Sequence, residues 1–525
     1  MNTNLPGPET YDYVVVGGGA AGCVVAARLS ESADRTVLLL EAGGPDTDPD
    51  ILAPRGVGHL LRGEYDWCDM TVPQPELQHR EVPVSAGRTL GGGGAINFLA
   101  WFRGHRLDYD NWAAQGMEGW GWDDVLPRFL RSEDSELGTS DVHSTGGPIA
   151  VTTAASMNPI SLAFMAAGVE NGLPLNRDFN GAELDGVGLF LANMRDGQRN
   201  SAAHGYLHSI RDRPNLTVHT NALVQRVALK DGVARGVVFT DVTGEQIIVN
   251  ADSVVLCAGA LRTPQLLMLS GIGPADHLRE LGIDVVHDLP GVGANLQDHP
   301  AAMVRWPLIH GKTWIEDFTP ENVDRYIATR SGPLASPFGE VAAFLRCGDN
   351  APAPDLQIFP LVMDFAGSAD PVFTCLVVLL KPESRGTLRL RSTDPWAKPL
   401  IDPQYLAEQA DRDLLVKGLR RITEIGSAPA LRAYLGEAEV SVTDTDNVLL
   451  QSVRDNLISI NHPAGTCRAG TDKNAVVDPM LRVRGIDGLH VIDASIMPDL
   501  PRGNTHAPSI MIGERGADLL LAGAR

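Results

Sequence analysis

Two kinds of chemistry are readable from residue types and spacing. The first lies near the start of the chain. Gly17, Gly19 and Gly22 form a G-x-G-x-x-G loop, and Glu41 closes the next apolar run. Glycines there let the backbone turn tightly and approach a pyrophosphate, whose charge is favoured at a helix N-terminus. A carboxylate at position 41 can accept hydrogen bonds from adenosine ribose hydroxyls. The motif points to a dinucleotide and leaves FAD and NAD both open. The second lies near the C-terminus. His462 sits in Asn461-His462-Pro463, just before Gly465-Thr466, and His506 in Gly503-Asn504-Thr505-His506-Ala507-Pro508. An imidazole titrates near neutral pH, which suits it to take a proton from a hydroxyl. The chain has 14 histidines, and residue type alone favours a packing or surface role for any one of them.

These residues need elements to position them. Tyr13 to Val16 reads as a buried strand, Ala20 to Ser30 as a helix, and Val37 to Leu40 as a second buried strand ending on Glu41. That is the strand–loop–helix–strand context a dinucleotide fingerprint requires. Residues 45 to 86 are rich in Pro, Gly and charge and read as a long excursion. Trp67 lies in it and can stack near an adenine or pack at the surface. Four glycines at 91–94 leave almost no side chain, so backbone can lie flat against a planar ligand. Asn97 follows as a polar group within reach of such a ligand. The apolar Phe98-Leu99-Ala100-Trp101-Phe102 argues against a linker there.

Farther on, 108 to 131 reads as helical packing, 132 to 147 as a polar loop, and 157 to 171 as a helix. Strands are expected at 215–220 and 223–229, with a hairpin at 236–240 and 246–249. Ala251 to Ala260 reads as a further buried strand. A helix is then expected to open at Thr263-Pro264 and stop at Gly271, since Thr suits an N-cap and Pro the first turn. Residues 290–299 read as a loop. Strands at 355–361, 374–380 and 386–390 and a long amphipathic helix at 411–425 suggest a separate sheet. The expected architecture is α/β. A Rossmann-like dinucleotide domain (1–150, 200–310 and 455–525) carries a discontinuous substrate-binding domain (151–199 and 311–454), built on an antiparallel sheet flanked by helices.

The 525 residues are too many for one simple core. Apolar content of 44% with 21% charged residues suits a globular enzyme, and the net charge of −22 argues against nucleic acid or an anionic membrane surface as partner. No stretch is long enough to span a bilayer. Met1 to Thr10 lack a basic-then-apolar leader pattern, so a cytoplasmic location is the default expectation. The six cysteines are scattered, with no C-x-x-C pair, which disfavours a zinc site or disulfide framework.

Four stretches together resemble the glucose–methanol–choline oxidoreductases: Gly17–Gly22 with Glu41; Gly87–Gly104; Gly259–Gly273; and Asn461–Arg468 with Asp493–Pro498. The resemblance runs essentially full length. Leu289-Pro-Gly-Val-Gly-Ala-Asn-Leu-Gln-Asp-His299 looks most like the bacterial alcohol and choline dehydrogenase branch. The resemblance implies FAD rather than NAD, and oxidation of an alcohol to an aldehyde or ketone with hydride passed to flavin N5. It makes His462 the general base and His506 its partner at the substrate oxygen. It also implies flavin contacts at Gly17, Gly19, Ala20, Gly22, Glu41, Ala42, Trp67, Arg88, Leu90, Gly92, Asn97, Phe98, Leu99, Ala100, Val224, Asp493, Ala494 and His506. The helix after Pro508 would direct its N-terminal partial charge at the flavin.

Two departures stand out. The family's covalent-flavin members carry a His around position 96, and this chain has none between 80 and 104, so noncovalent FAD is expected. The family usually has Ser-Ser where this chain has Gly94-Ala95. Position 506 is Asn in many bacterial relatives and His in glucose and aryl-alcohol oxidases. A small-molecule alcohol and either oxygen or another electron acceptor are the implied partners, and no metal is implied. A hydroxynitrile lyase of this fold and an NAD-dependent dehydrogenase are the competing readings.

Overall fold

The computed structural model describes residues 10–364 and 370–523. Most of the opening segment read for a leader, residues 1–9, lies outside the described residues. The architecture is mixed α/β, with two hydrophobic cores around two sheets.

The first sheet follows the order Leu216–His219, Val37–Leu40, Thr10–Val16, Gln246–Leu256, Val233–Thr240, Leu223–Lys230. Thr10–Val16 is central and parallel to both neighbours. It is buried on both faces, which fits its continuous apolar run. Helix Ala20–Leu29 follows directly and packs on the C-terminal helix His506–Gly523. Residues expected as separate strands at 246–249 and 251–260 form one strand, Gln246–Leu256. Its first half alternates exposed and buried residues against an antiparallel neighbour. Its last residues are buried between parallel strands Thr10–Val16 and Leu489–Val491. One strand thus carries two burial periods, and the change of period mimics a boundary.

The helix expected to open at Thr263-Pro264 begins one turn earlier and spans Gly259–Leu269. Thr263 does not cap it. Its hydroxyl accepts from Ala258 N at 3.1 Å and donates to Asp493 Oδ2 at 2.6 Å. Pro264 is the sixth residue of the helix, and the Ala260 carbonyl that it leaves without an N–H donor accepts from Thr466 Oγ1 at 2.6 Å.

The second sheet is antiparallel, in the order Ile458–Ser459, Pro300–Pro307, Val372–Leu379, Leu356–Leu361, Val341–Leu345, Gly186–Leu189. Helix Gln409–Gly426 packs against it. Pro300–Pro307 and Ile458–Ser459 were expected with the first unit, yet both are strands here. The chain crosses between units at these points. The strand expected at 386–390 stands apart: Thr387–Arg389 pairs only with Leu400–Asp402. The stretch 132–147 was expected as a loop throughout, but Glu133–Ser135 pairs in parallel with Ile149–Val151.

Candidate active site

The first glycine loop is held by contacts that exclude any larger residue. Gly17 has φ +101°, and a Cβ there would lie 2.5 Å from Cys257 O. Gly18 N donates to Glu41 Oε2 and Gly43 N to Glu41 Oε1, each at 2.8 Å. Burial pushes the Glu41 carboxyl up to about 7, against the pull of these backbone donors. The glycine run at 91–94 packs on this loop. Gly91 N donates to Gly18 O at 2.7 Å, and a Cβ on Gly92 (φ +55°) would lie 2.7 Å from Gly19 Cα. Only glycine permits this approach.

Both loops border one long cavity of about 310 Å³, within the size range of ligand sites. Gly17, Gly19, Ala20, Glu41, Ala42, Trp67, Gly92, Asn97, Phe98, Leu99, Ala100, Val224, Asp493, Ala494, His462 and His506 all line it. Gly22, Arg88 and Leu90 stand behind that lining. A Cβ on Gly22 would lie 1.9 Å from Gly17 O, so its smallness seats the helix on the loop. Arg88 donates to Glu64 O at 3.0 Å, and the Leu90 side chain packs against Gly18. The Trp67 ring is covered by the Arg262 guanidinium at 4.3 Å from its centroid, a cation–π contact that fixes the ring at the cavity wall.

Asn97 has a local duty besides facing the cavity. Its Oδ1 accepts from Leu99 N at 3.0 Å and from Arg199 Nη1 at 2.7 Å. The first bond holds Leu99 in the left-handed region at φ +68°, an uncommon conformation for a bulky side chain. Asp493 is likewise committed to the fold. Its Oδ2 accepts from Gly259 N and Thr263 Oγ1, and its Oδ1 from Ser495.

At the other end of the cavity, Asn461 takes φ +62°, a region Asn tolerates, and turns the chain to present His462. His462 N donates to Asp298 Oδ1 at 2.8 Å. The ring touches His299, Nδ1 to Nδ1 at 3.0 Å, and Asn504 Nδ2 from Nε2 at 3.2 Å. Burial lowers the His462 pKa to about 3. His506 starts the C-terminal helix and stacks edge-on against Trp101 at 6.0 Å. Burial, reinforced by the Arg199 charge, lowers it to about 4. Both rings are therefore neutral at physiological pH, as a proton acceptor must be. His506 Nε2 is buried and has no hydrogen-bond partner among the described residues.

Three residues at this end escaped the sequence reading. His299 ends a loop and the stretch that resembles the bacterial branch, with no role of its own in the sequence. Asn504 stands beside His506 with no role that spacing conveys. Arg199 is fully buried, donates to Gly94 O at 3.1 Å and to Asn97, and carries no motif of its own. Among the described residues no group of His, Cys, Asp and Glu could hold a metal ion, and no helix is long and apolar enough to cross a membrane.

The cavity fits an extended dinucleotide with a planar head group. Glycine backbones at 17, 19 and 92–94, Glu41 and the two imidazoles share its lining. Comparison with known proteins agrees. The GMC oxidoreductase family models match residues 11–301 and 382–513. The chain belongs to the GMC oxidoreductases, enzymes that use FAD to oxidise CH–OH groups. An alcohol dehydrogenase [acceptor] of Pseudomonas putida is 39% identical, over 97% of this chain and 96% of its own length. An oxygen-dependent choline dehydrogenase of Burkholderia pseudomallei is also 39% identical, over 97% and 93%. Among solved structures, pyridoxine 4-oxidase from Mesorbium loti superimposes with a TM-score of 0.90 at 34% identity, covering 97% of this chain and 99% of that one.

Proposed function

We propose that this enzyme oxidises an alcohol with His462 as the base that takes the hydroxyl proton and His506 as the group that orients the alcohol oxygen. The observation that carries this reading is the pairing of two buried, neutral imidazoles on the wall of the cavity that the glycine loops and Glu41 also line. FAD bound there supplies the hydride acceptor. His506 lines the cavity and its buried Nε2 has no hydrogen-bond partner among the described residues, so a turn of the ring would let it hold the substrate oxygen. Asn504 fixes the His462 ring from the cavity side. As the carbonyl forms, the proton moves from the hydroxyl to His462, and loss of such a base commonly costs about 10²–10⁴-fold in rate. The buried Trp101 packs edge-on against His506 and shields that side of the ring from water.

Glu41 would hold the ribose hydroxyls of FAD, and the glycine backbones at 17–19 and 91–92 would hold its pyrophosphate and ring system. The flavin would be held noncovalently, since no His stands between residues 80 and 104. The N-terminus of helix His506–Gly523 directs partial positive charge into the same cavity.

The test is anaerobic addition of primary alcohols, aryl alcohols, sugars, pyridoxine and choline to the purified holoenzyme. Bleaching of the yellow flavin by one class supports oxidation and names the substrate class. Release of cyanide from a cyanohydrin without bleaching would support a lyase instead. Reoxidation by air or by an artificial acceptor then separates oxidase from dehydrogenase.

A further inference from the structure

The two histidines that meet at 3.0 Å are set side by side by the second sheet. Pro300 pairs with Ser459 in antiparallel register, so the chain ends carrying His299 and His462 leave the sheet together. Ile460 N donates to His299 O at 3.2 Å. One carboxylate then ties both backbones. Asp298 Oδ1 accepts from His299 N at 2.9 Å and from His462 N at 2.8 Å, while its Oδ2 accepts from Ser459 at 2.5 Å and from Tyr405. The geometry of the rings is thus fixed before any substrate arrives.

The proton positions follow from what each partner can do. His299 Nε2 lies 3.0 Å from the Leu380 carbonyl oxygen. A carbonyl only accepts, so this nitrogen carries a hydrogen. His299 is fully buried, and burial, with His462 beside it, holds its pKa well below the usual value. A neutral imidazole has one N–H, so His299 Nδ1 is a bare acceptor. The facing atom, His462 Nδ1, must then donate. A neutral His462 with a proton on Nδ1 has a bare Nε2, and the atom beside that nitrogen is Asn504 Nδ2, a donor. Every link runs in one direction.

We propose that His299 is a positioning residue that holds His462 in the tautomer protonated at Nδ1, so that a bare Nε2 faces the cavity. The inference rests on His462 being the base. In the reaction the alcohol hydroxyl replaces Asn504 Nδ2 at Nε2, the alcohol O–H bond breaks and its proton bonds to that nitrogen. His462 Nδ1 keeps its hydrogen throughout, and His299 and the Leu380 carbonyl accept the resulting polarisation. The ionisable groups around His299 leave this direction intact. Asp298 is occupied by backbone and hydroxyl donors, and the Lys381 ammonium donates to Leu500 O at 2.5 Å rather than to the ring. Tyr405 donates to Asp298.

The wild-type holoenzyme tests this directly. Nitrogen-15 NMR of histidine-labelled protein, with His462 assigned by its loss in His462→Asn, should show Nδ1 protonated and Nε2 bare. A proton on Nε2 would overturn the proposal. Two variants of similar shape give the kinetic test. His299→Leu removes the acceptor, whereas His299→Asn keeps an oxygen near the Nδ1 position. The leucine variant should slow anaerobic flavin reduction by about 10–100-fold, the usual cost of losing a partner that orients an active ring. It should also make the rate pH-dependent near neutrality. The asparagine variant should recover most of the rate with the flat profile. Equal rates and profiles in the two variants would overturn the proposal. Failure of the base assignment would appear separately, as normal flavin reduction in His462→Ala with the wild-type NMR pattern unchanged.

Discussion

The ring of His506 and the backbone of Gly94 leave no room for a side chain between them. A Cβ placed on Gly94 would lie 2.5 Å from His506 Cε1 and 3.2 Å from its Nδ1. Glycine at 94 and histidine at 506 are therefore one packing solution. The larger imidazole occupies the space that a serine side chain would need.

This coupling is measurable. Gly94→Ser should displace the His506 ring and slow anaerobic flavin reduction by about tenfold or more. Combining it with His506→Asn should recover part of the loss relative to the sum of the single effects. Residues in contact commonly show interaction energies of about 0.5–3 kcal/mol in such cycles. Strict additivity of the two substitutions would mean that the rings and backbone are not in contact during turnover.

The pH dependence follows from the same burial. His462 is lowered to about 3 and His506 to about 4, so both lose their protons well below neutrality. The neutral, proton-accepting forms are then present above about pH 5. The rate of flavin reduction at saturating alcohol should be level from there through pH 8. A fall with a midpoint near the ordinary imidazole value, about 6.5, would show that the base is solvated in the working enzyme.

Flavin retention gives a third check. Acid precipitation should release the yellow chromophore into the supernatant, because no His stands between residues 80 and 104 to form a covalent link. Glu41→Ala should weaken flavin binding by about tenfold or more. It removes a carboxylate that receives two backbone N–H groups and is proposed to receive the ribose, and hydrogen bonds to charged groups contribute about 1.5–3 kcal/mol each. Flavin that stays with the pellet would indicate a covalent link.

How much of this could be read from sequence depends on the range of each interaction. The strand at Thr10–Val16, the glycine loop and Glu41 are local, and spacing alone conveys them. Helix Gly259–Leu269 was read a turn late because Thr263-Pro264 imitates a helix start, whereas Thr263 serves Asp493, distant in sequence. Strand Pro300–Pro307 was missed for a similar reason. Its pairing partners lie at 372–378 and 458–459, and nothing local announces them. His299 and Asn504 acquire meaning only beside His462, which is a tertiary relationship. Arg199 is found only by its burial and by the carbonyl and amide oxygens it serves.

The central claim is that His462 takes the alcohol proton. Rapid anaerobic mixing of the His462→Ala holoenzyme with an alcohol that bleaches the wild-type flavin tests it most directly. The variant should keep its flavin and its fold while reducing the flavin about 10²–10⁴-fold more slowly at neutral pH, with the deficit shrinking as pH rises and hydroxide substitutes for the base. Flavin reduction at a near-wild-type rate at neutral pH would contradict the account.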